Sequence, residues 1–329
     1  DMDGWEPSNP NFTKVACPYR EFSFGEQLGM KRQLDSLRGD LVHFGITQQP
    51  VLYHGTTVTS ILDLTTVRFK NPAKNPIVFA LKQLVYTWVT KRVARKSAQI
   101  ITLSEYTKRD IADFCKVSPD KISVAYGAAD PLPTPAEPLT TIADNTEFIM
   151  YVGRPTPHKN LERLIQAFAL LQKQRPGLHL VLAGKKDANY RRIETNIAEQ
   201  GIPNVIFTDF ISDMQLRWLY EHCQAYVFPS LSEGFGLPGL EAMQHRAPVV
   251  SSNATCLPEI YGEAALYFEP TNIDAMASTI DQVLSNQQLR QSLITAGTQQ
   301  AERYSWQQTA QRTLEVYLRA LSENMDSQS

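Results

Sequence analysis

The stretch Ala225-Tyr-Val-Phe-Pro-Ser-Leu-Ser-Glu-Gly-Phe-Gly-Leu-Pro-Gly-Leu-Glu241 sets the class of fold. Ala225 to Phe228 is strand-length and apolar throughout, as parallel strands covered on both faces are. Gly234, Gly236 and Gly239 let the backbone approach a ligand, and Pro238 suits a first helical turn. Strand, glycine loop and helix N-terminus in that order present free N–H groups backed by a helix dipole, which bind phosphate oxygens. Glu233, on the loop above the strand end, and Glu241, in the first turns of the helix, flank that cradle. Carboxylates are poor phosphate ligands but good acceptors for sugar and ribose hydroxyls.

Outward from this stretch the alternation continues. Phe148 to Val152, Leu178 to Ala183, Val205 to Phe207, Pro248 to Ser251 and Ala264 to Phe268 read as further buried strands. Between them, Leu161, Leu164, Ile165, Phe168 and Leu171 follow helical spacing, with Asn160 expected as an N-cap. Leu216, Leu219 and Tyr220 repeat the pattern after Ser212 and Asp213. In the first half, Leu41 to Phe44, Val51 to Tyr53, Val58 to Leu62, Ile100 to Leu103 and Ile122 to Ala125 read as strands, and Ile77 to Lys96 as a long helix. The four prolines among residues 130–138 exclude helix or central strand and mark a linker. Two doubly wound α/β domains follow, with a cleft between the carboxyl ends of their sheets.

Tyr151-Val-Gly-Arg-Pro-Thr-Pro-His-Lys-Asn160 carries the second chemical signal. A buried strand ends at Gly153, and Arg154 and Lys159 bracket a proline-rich turn. A guanidinium fork and an ammonium at a strand's carboxyl end suit a diphosphate. His158 lies between them, a weak phosphate contact at most; His43, His54 and His245 carry no assignment.

Composition bounds the function. The chain has 329 residues, 43% hydrophobic and 20% charged, a globular makeup of about two domains. A net charge of −2 provides no field for nucleic acid. The charge is uneven: residues 1–130 hold 17 Lys and Arg against 13 Asp and Glu, the remainder 15 against 21, so positive charge gathers in the first half. Lys91, Arg92, Arg95 and Lys96 end the long helix. They read as favourable charge at a helix C-terminus or as a patch for an anionic membrane leaflet. Cys17, Cys115, Cys223 and Cys256 are widely spaced, which disfavours a zinc site and fits free thiols in a reducing cytoplasm, peripheral to the inner membrane face if the patch docks there.

Together these segments resemble the retaining glycosyltransferases of family four, which have the GT-B fold. Glu233 and Glu241 match that family's E-x7-E motif. Phe228-Pro229-Ser230, Ala247-Pro248-Val249-Val250, Leu257-Pro258-Glu259-Ile260 and Tyr304-Ser305-Trp306 are similar to its flanking stretches, as are Leu103-Ser104-Glu105-Tyr106-Thr107 and Gly127 with Asp130 in the first half. The resemblance implies roles. Gly153, Arg154 and Lys159 bind the donor diphosphate, with the amides of Gly234, Phe235, Gly236 and Leu237 completing the cradle. Glu233 contacts the donor sugar and Glu241 the ribose. Phe210 and Ile211 meet the base, although Asp209 stands where a glycine is commoner. Glu233, Arg154 and Lys159 are the implied catalytic groups. The family implies a GDP- or UDP-linked sugar as co-substrate, no metal or other cofactor, and a glycan or lipid-linked acceptor. The segments around Gly153 and Leu257 look most like bacterial mannosyltransferases, so a mannosyl unit is the first expectation.

The expected division is residues 1–133 with 305–329 as the acceptor-side domain, a last helix crossing back, and residues 134–304 as the donor domain. Two departures stand out. Residues 1–40 supply no first strand, glycine loop and helix, and Leu62 precedes Asp63 where many relatives carry a His-Asp pair. Both favour an alternative, a nucleotide-sugar-binding protein without turnover. An epimerase of the same fold lacks support from the E-x7-E setting. A glycosidase does not fit either, since its two carboxylates must flank one bond and here one lies inside a helix.

Overall fold

The structure, a computed structural model, describes residues 6–20, 23–69 and 76–326. The first half contains α1 (Lys31–Leu37), β1 (Val42–Phe44), β2 (Thr57–Ser60), α2 (Thr65–Arg68), α3 (Pro76–Lys96), β3 (Gln99–Thr102), α4 (Glu105–Cys115) and β4 (Ile122–Val124). Its strands pair in parallel, in the order β1-β2-β3-β4. No strand precedes β1 among the described residues. The expected strand at Val51–Tyr53 is instead a turn, closed by the Tyr53 amide donating to the Pro50 carbonyl at 3.1 Å. Its apolar character has another cause: Tyr53 is buried and packs edge-on against Phe44.

The second half contains β5 (Phe148–Val152), α5 (Leu161–Gln174), β6 (His179–Ala183), α6 (Ala188–Glu199), β7 (Val205–Asp209), α7 (Asp213–His222), β8 (Ala225–Phe228), α8 (Leu237–Gln244), β9 (Val249–Ser252), α9 (Leu257–Tyr261), β10 (Ala265–Phe268), α10 (Ile273–Ser285) and α11 (Gln287–Ala301). Its parallel strands run β10-β9-β8-β5-β6-β7. Strand order reverses at β5, whose neighbours are β6 and β8. Loops leaving β5 and β8 therefore part to opposite faces and open a crevice at their carboxyl ends, where ligands bind in such sheets.

The second sheet holds the larger core, built around Met150, Tyr151, Leu180, Val181 and Val227 with the buried face of α5. The first sheet has two smaller clusters. Ile61, Ile100 and Ile122 pack with Ala94 of α3 and Ile111 of α4. Val58, Ile101 and Ala125 pack with Val316 and Ala320 of α12 (Trp306–Asp326). The proline-rich segment lies against the second unit: the Glu137 amide donates to the Met214 carbonyl, and the Leu132 amide to His245 Nε2.

Candidate active site

Two loops meet at the β5/β8 crevice. The first leaves β5 at Gly153, whose φ of +142° disfavours any side chain and whose carbonyl accepts from the Tyr190 hydroxyl at 2.8 Å. A short 3-10 turn, Pro157–Lys159, then delivers Lys159. Asn160 occupies the first cap position of α5 but does not cap it, because it sits in left-handed backbone with no side-chain bond to the helix. Its buried amide group instead donates to the Pro229 and Pro270 carbonyls at 3.0 and 2.8 Å. The second loop follows β8. Its Leu231 amide donates to the His158 carbonyl at 2.7 Å. Glu233 is pinned through its backbone, the amide donating to Thr255 Oγ1 and the carbonyl accepting from that hydroxyl and from Cys256 Sγ. The two loops are thus stitched together before any side-chain charge is counted.

Lys159 Nζ and Glu233 Oε1 then pair at 2.6 Å, and the ammonium lies 5.2 Å from the Phe228 ring centroid. The expected cation and carboxylate stand at one point. Arg154 differs. It is exposed and makes no ion pair or side-chain hydrogen bond among the described residues, so it belongs to the rim. Glu241, half-buried in α8, accepts from the Tyr220 hydroxyl at 3.3 Å, and burial pushes its carboxyl above the ordinary value. Gly236 begins α8 with a φ of +97°. Phe235 is buried against Tyr126 and Tyr304, while Leu237 is partly exposed. Phe210 projects into solvent and Ile211 packs against the core. Asp209 adopts a φ of +61°, the backbone region that makes a glycine the commoner occupant. It serves there by accepting the Lys186 amide on its own carboxylate at 2.9 Å.

The first sheet contributes a wall. Gly234 lies so close to it that a Cβ there would sit 2.1 Å from the Leu62 carbonyl oxygen and 3.0 Å from Asp63 Cβ. The Gly234 carbonyl accepts from Ser104 Oγ at 2.9 Å. Glu259 accepts from the Glu105 and Tyr106 amides at the start of α4, at 2.7 and 2.9 Å, and from the Tyr126 hydroxyl at 3.0 Å. Ser104-Glu105 and Leu257-Pro258-Glu259 stand out separately in the sequence; their contact becomes visible only in three dimensions. His158, left as a weak contact, packs 5.7 Å from the Phe69 ring, and burial and neighbouring Lys159 lower its pKa against the opposing influence of Glu233 and Asp63. Asp130 accepts from the Trp306 indole at 2.8 Å and so faces α12. Among the described residues no group of three or more His, Cys, Asp and Glu is placed to hold a metal ion.

Known proteins share this construction. A family model described as Glycosyl transferases group 1 matches residues 138–300. The chain is 32% identical over 230 residues to the O-antigen chain mannosyltransferase B of Escherichia coli, a match covering 66% of this chain and 60% of that protein. It is 32% identical over 252 residues to the MMP alpha-(1->4)-mannosyltransferase of Mycolicibacterium hassiacum, covering 73% and 60%. The matched region is thus about three-fifths of the length of both relatives. Among solved structures it superposes on the sucrose-phosphate synthase of Thermosynechococcus elongatus with a TM-score of 0.74 and 20% identity, covering 90% of this chain and 78% of the other. Anabaena Alr3699/HepE, solved with UDP and glucose, superposes with a TM-score of 0.71 and 17% identity, covering 91% and 84%. Residues 138–300 are therefore a glycosyl transferases group 1 domain, and the fold of the chain is GT-B.

Proposed function

We propose that this protein transfers a hexosyl unit, mannosyl in the first instance, from a GDP- or UDP-linked sugar to a glycan or lipid-linked acceptor on the cytoplasmic side, with retention of configuration and without a metal. The observation that carries the reading is the Lys159–Glu233 pair, 2.6 Å apart where the sheet order reverses. A donor has one anionic part and one hydroxyl-rich part, and this pair has a matching group for each. The diphosphate takes Lys159, the sugar hydroxyls take Glu233, and the donor inserts between them. The amides of Phe235, Gly236 and Leu237 close around the phosphates beside Gly153 and Gly234, with Arg154 at the rim. Glu241 accepts from the ribose, and the backbone at Phe210 and Ile211 meets the base. In the reaction the bond from the sugar's anomeric carbon to the diphosphate oxygen breaks, and its electron pair moves onto the diphosphate. Cations and amides already aimed there stabilise that charge without reorganisation. The acceptor hydroxyl oxygen forms the new bond to the anomeric carbon on the face the diphosphate leaves, and its proton passes to the departing diphosphate oxygen.

The mannosyl reading draws support from relatives named as mannosyltransferases. A second reading, donor binding without transfer, draws support from Leu62. Leu62 is 41% exposed while its carbonyl lies against the Gly234 loop, and a leucine side chain offers a sugar hydroxyl no hydrogen bond. Release of free nucleotide from GDP-mannose and from UDP-sugars, with and without an acceptor extract, decides between the two. Acceptor-dependent release that Glu233→Gln abolishes, with nucleoside diphosphate binding kept, supports transfer. Calorimetric binding with no release supports the second reading.

A further inference from the structure

We propose that one face of α3 docks on an anionic lipid bilayer. Leu81, Leu84, Val85 and Trp88 follow one another at spacings of three, one and three residues, which places them on one side of a helix. All four face water: Leu84 is 67% exposed, Leu81 63% and Trp88 57%. The same face continues into Arg92 and Arg95, one turn and two turns further on. The opposite side, with Thr90, Val93 and Ala94, is the buried one. An ordinary surface helix shows the reverse pattern, polar outward. Phe24, also exposed, stands nearby. A cavity of about 470 Å³, lined by Phe24, Val51, Val85, Trp88 and Val89 and also by Glu26 and three glutamines, shares Val85 and Trp88 with the face.

Charge chooses the occupant. α3 carries Lys82, Lys91, Arg92, Arg95 and Lys96 and no Asp or Glu. Lys91 leans over the Phe114 ring, Arg95 Nε donates to the Cys115 carbonyl and Lys96 Nζ to the Val51 carbonyl. Lys82 and Arg92 have no such partner among the described residues. Burial and the charges of Arg92 and Lys31 push the Lys96 ammonium below its ordinary value, a sign of crowded positive charge on this side. A second copy laid on this face would bring like charges together. A bilayer offers what the face lacks: hydrocarbon for the leucines, an interface for the indole and anionic head groups for the cations. No described helix is long and apolar enough to cross a membrane, so the contact is in the plane of the surface.

The position of the face relates to the site. α3 leads directly into β3, so it runs opposite to the strands, and Leu81, Leu84 and Val85 lie on its half nearer the carboxyl edge of the sheet, where the cleft opens, with Trp88 just past its middle. A bilayer on this face would present a lipid-linked acceptor to the cleft by its head group. That last step rests on the transfer reading; the docking itself does not.

The test is flotation of the full chain with vesicles of phosphatidylcholine alone and with about 30% phosphatidylglycerol added. At least roughly tenfold tighter binding to the anionic vesicles is expected, weakened by salt. Lys82→Glu with Arg92→Glu removes that difference, and Leu84→Ser with Trp88→Ser lowers binding to the anionic vesicles about tenfold or more. Both pairs are exposed, and unchanged thermal unfolding confirms that the variants fold. Equal binding to both vesicles, indifference to both pairs of substitutions, or self-association that Leu84→Ser with Trp88→Ser abolishes would overturn the proposal. Donor binding measured by calorimetry on the same preparations separates the two readings. If donor binds and vesicles do not, only the docking face is lost; the opposite result removes the donor site and leaves the face.

Discussion

Lys159 and Glu233 keep only 18% and 13% of their side chains in water, so solvent screens their attraction much less than that of an ordinary surface pair. Removing one member leaves the other partly desolvated and unmatched. Lys159→Ala is therefore expected to weaken binding of nucleoside diphosphates by about 10- to 100-fold and to leave nucleosides unaffected, since a charge-assisted contact contributes roughly 1.5–3 kcal/mol. Calorimetry with GDP and guanosine, and with UDP and uridine, measures it; equal losses for nucleotide and nucleoside would remove the diphosphate role. The residue types were legible in the sequence. Their inequality was not: Arg154 and Lys159 read as equivalent brackets of one turn, yet the 3-10 turn and the Asn160 anchors direct only Lys159 inward. Asn160 shows the same limit. Its place before a helical pattern signals a cap, but its amide is taken by carbonyls from two distant loops, and no local pattern encodes those.

At the scale of elements, the second sheet reads directly from the chain because its central strands β5, β6 and β8 are short, nearly unbroken apolar runs and an amphipathic helix follows β5. The first sheet is harder. Its strands are only three or four residues long, and an equally short run at Val51–Tyr53 differs from them only in lacking a partner strand. The loop between β8 and α8 is where sequence and tertiary constraint coincide. Gly234 reads as flexibility for ligand approach, and the structure adds a second reason, the Leu62 carbonyl on the opposite wall. That oxygen is backbone and the neighbouring Asp63 Cβ is fixed to backbone, so no side-chain rotation relieves a methyl group there. Gly234→Ala is expected to destabilise the fold by about 2–3 kcal/mol, in the range of an overpacked site, and to lower donor turnover as the walls separate. Chemical denaturation and nucleotide release measure the two effects; a variant as stable and as active as the parent would show that the walls are not held at that spacing.

For the molecule as a whole, Glu259 is the most economical tie between the two sheets. One carboxylate receives two amides at the start of α4 and the Tyr126 hydroxyl, beside the ring cluster of Tyr126, Phe235 and Tyr304. A helix N-terminus attracts negative charge, and here the protein's own side chain supplies it. Glu259→Ala leaves two amides and a hydroxyl unmatched and is expected to lower stability by about 2–3 kcal/mol. It should also widen the cleft, which small-angle scattering detects as a larger radius of gyration. An unchanged radius with lost stability would mean that the aromatic cluster alone sets the spacing.

The return of α12 onto the first sheet has a consequence for how the chain matures. Val316 and Ala320 complete a core begun by Val58, Ile101 and Ala125, between 191 and 262 residues earlier. During synthesis the first half of this sequence must wait, one flank of its sheet bare, until α12 emerges from the ribosome. The strands from Phe148 to Phe268 and their helices, through Ala301, are contiguous and can close on themselves before that. The second sheet can thus be complete before the first, and until α12 arrives the bare flank of the first is open to chaperones and proteases.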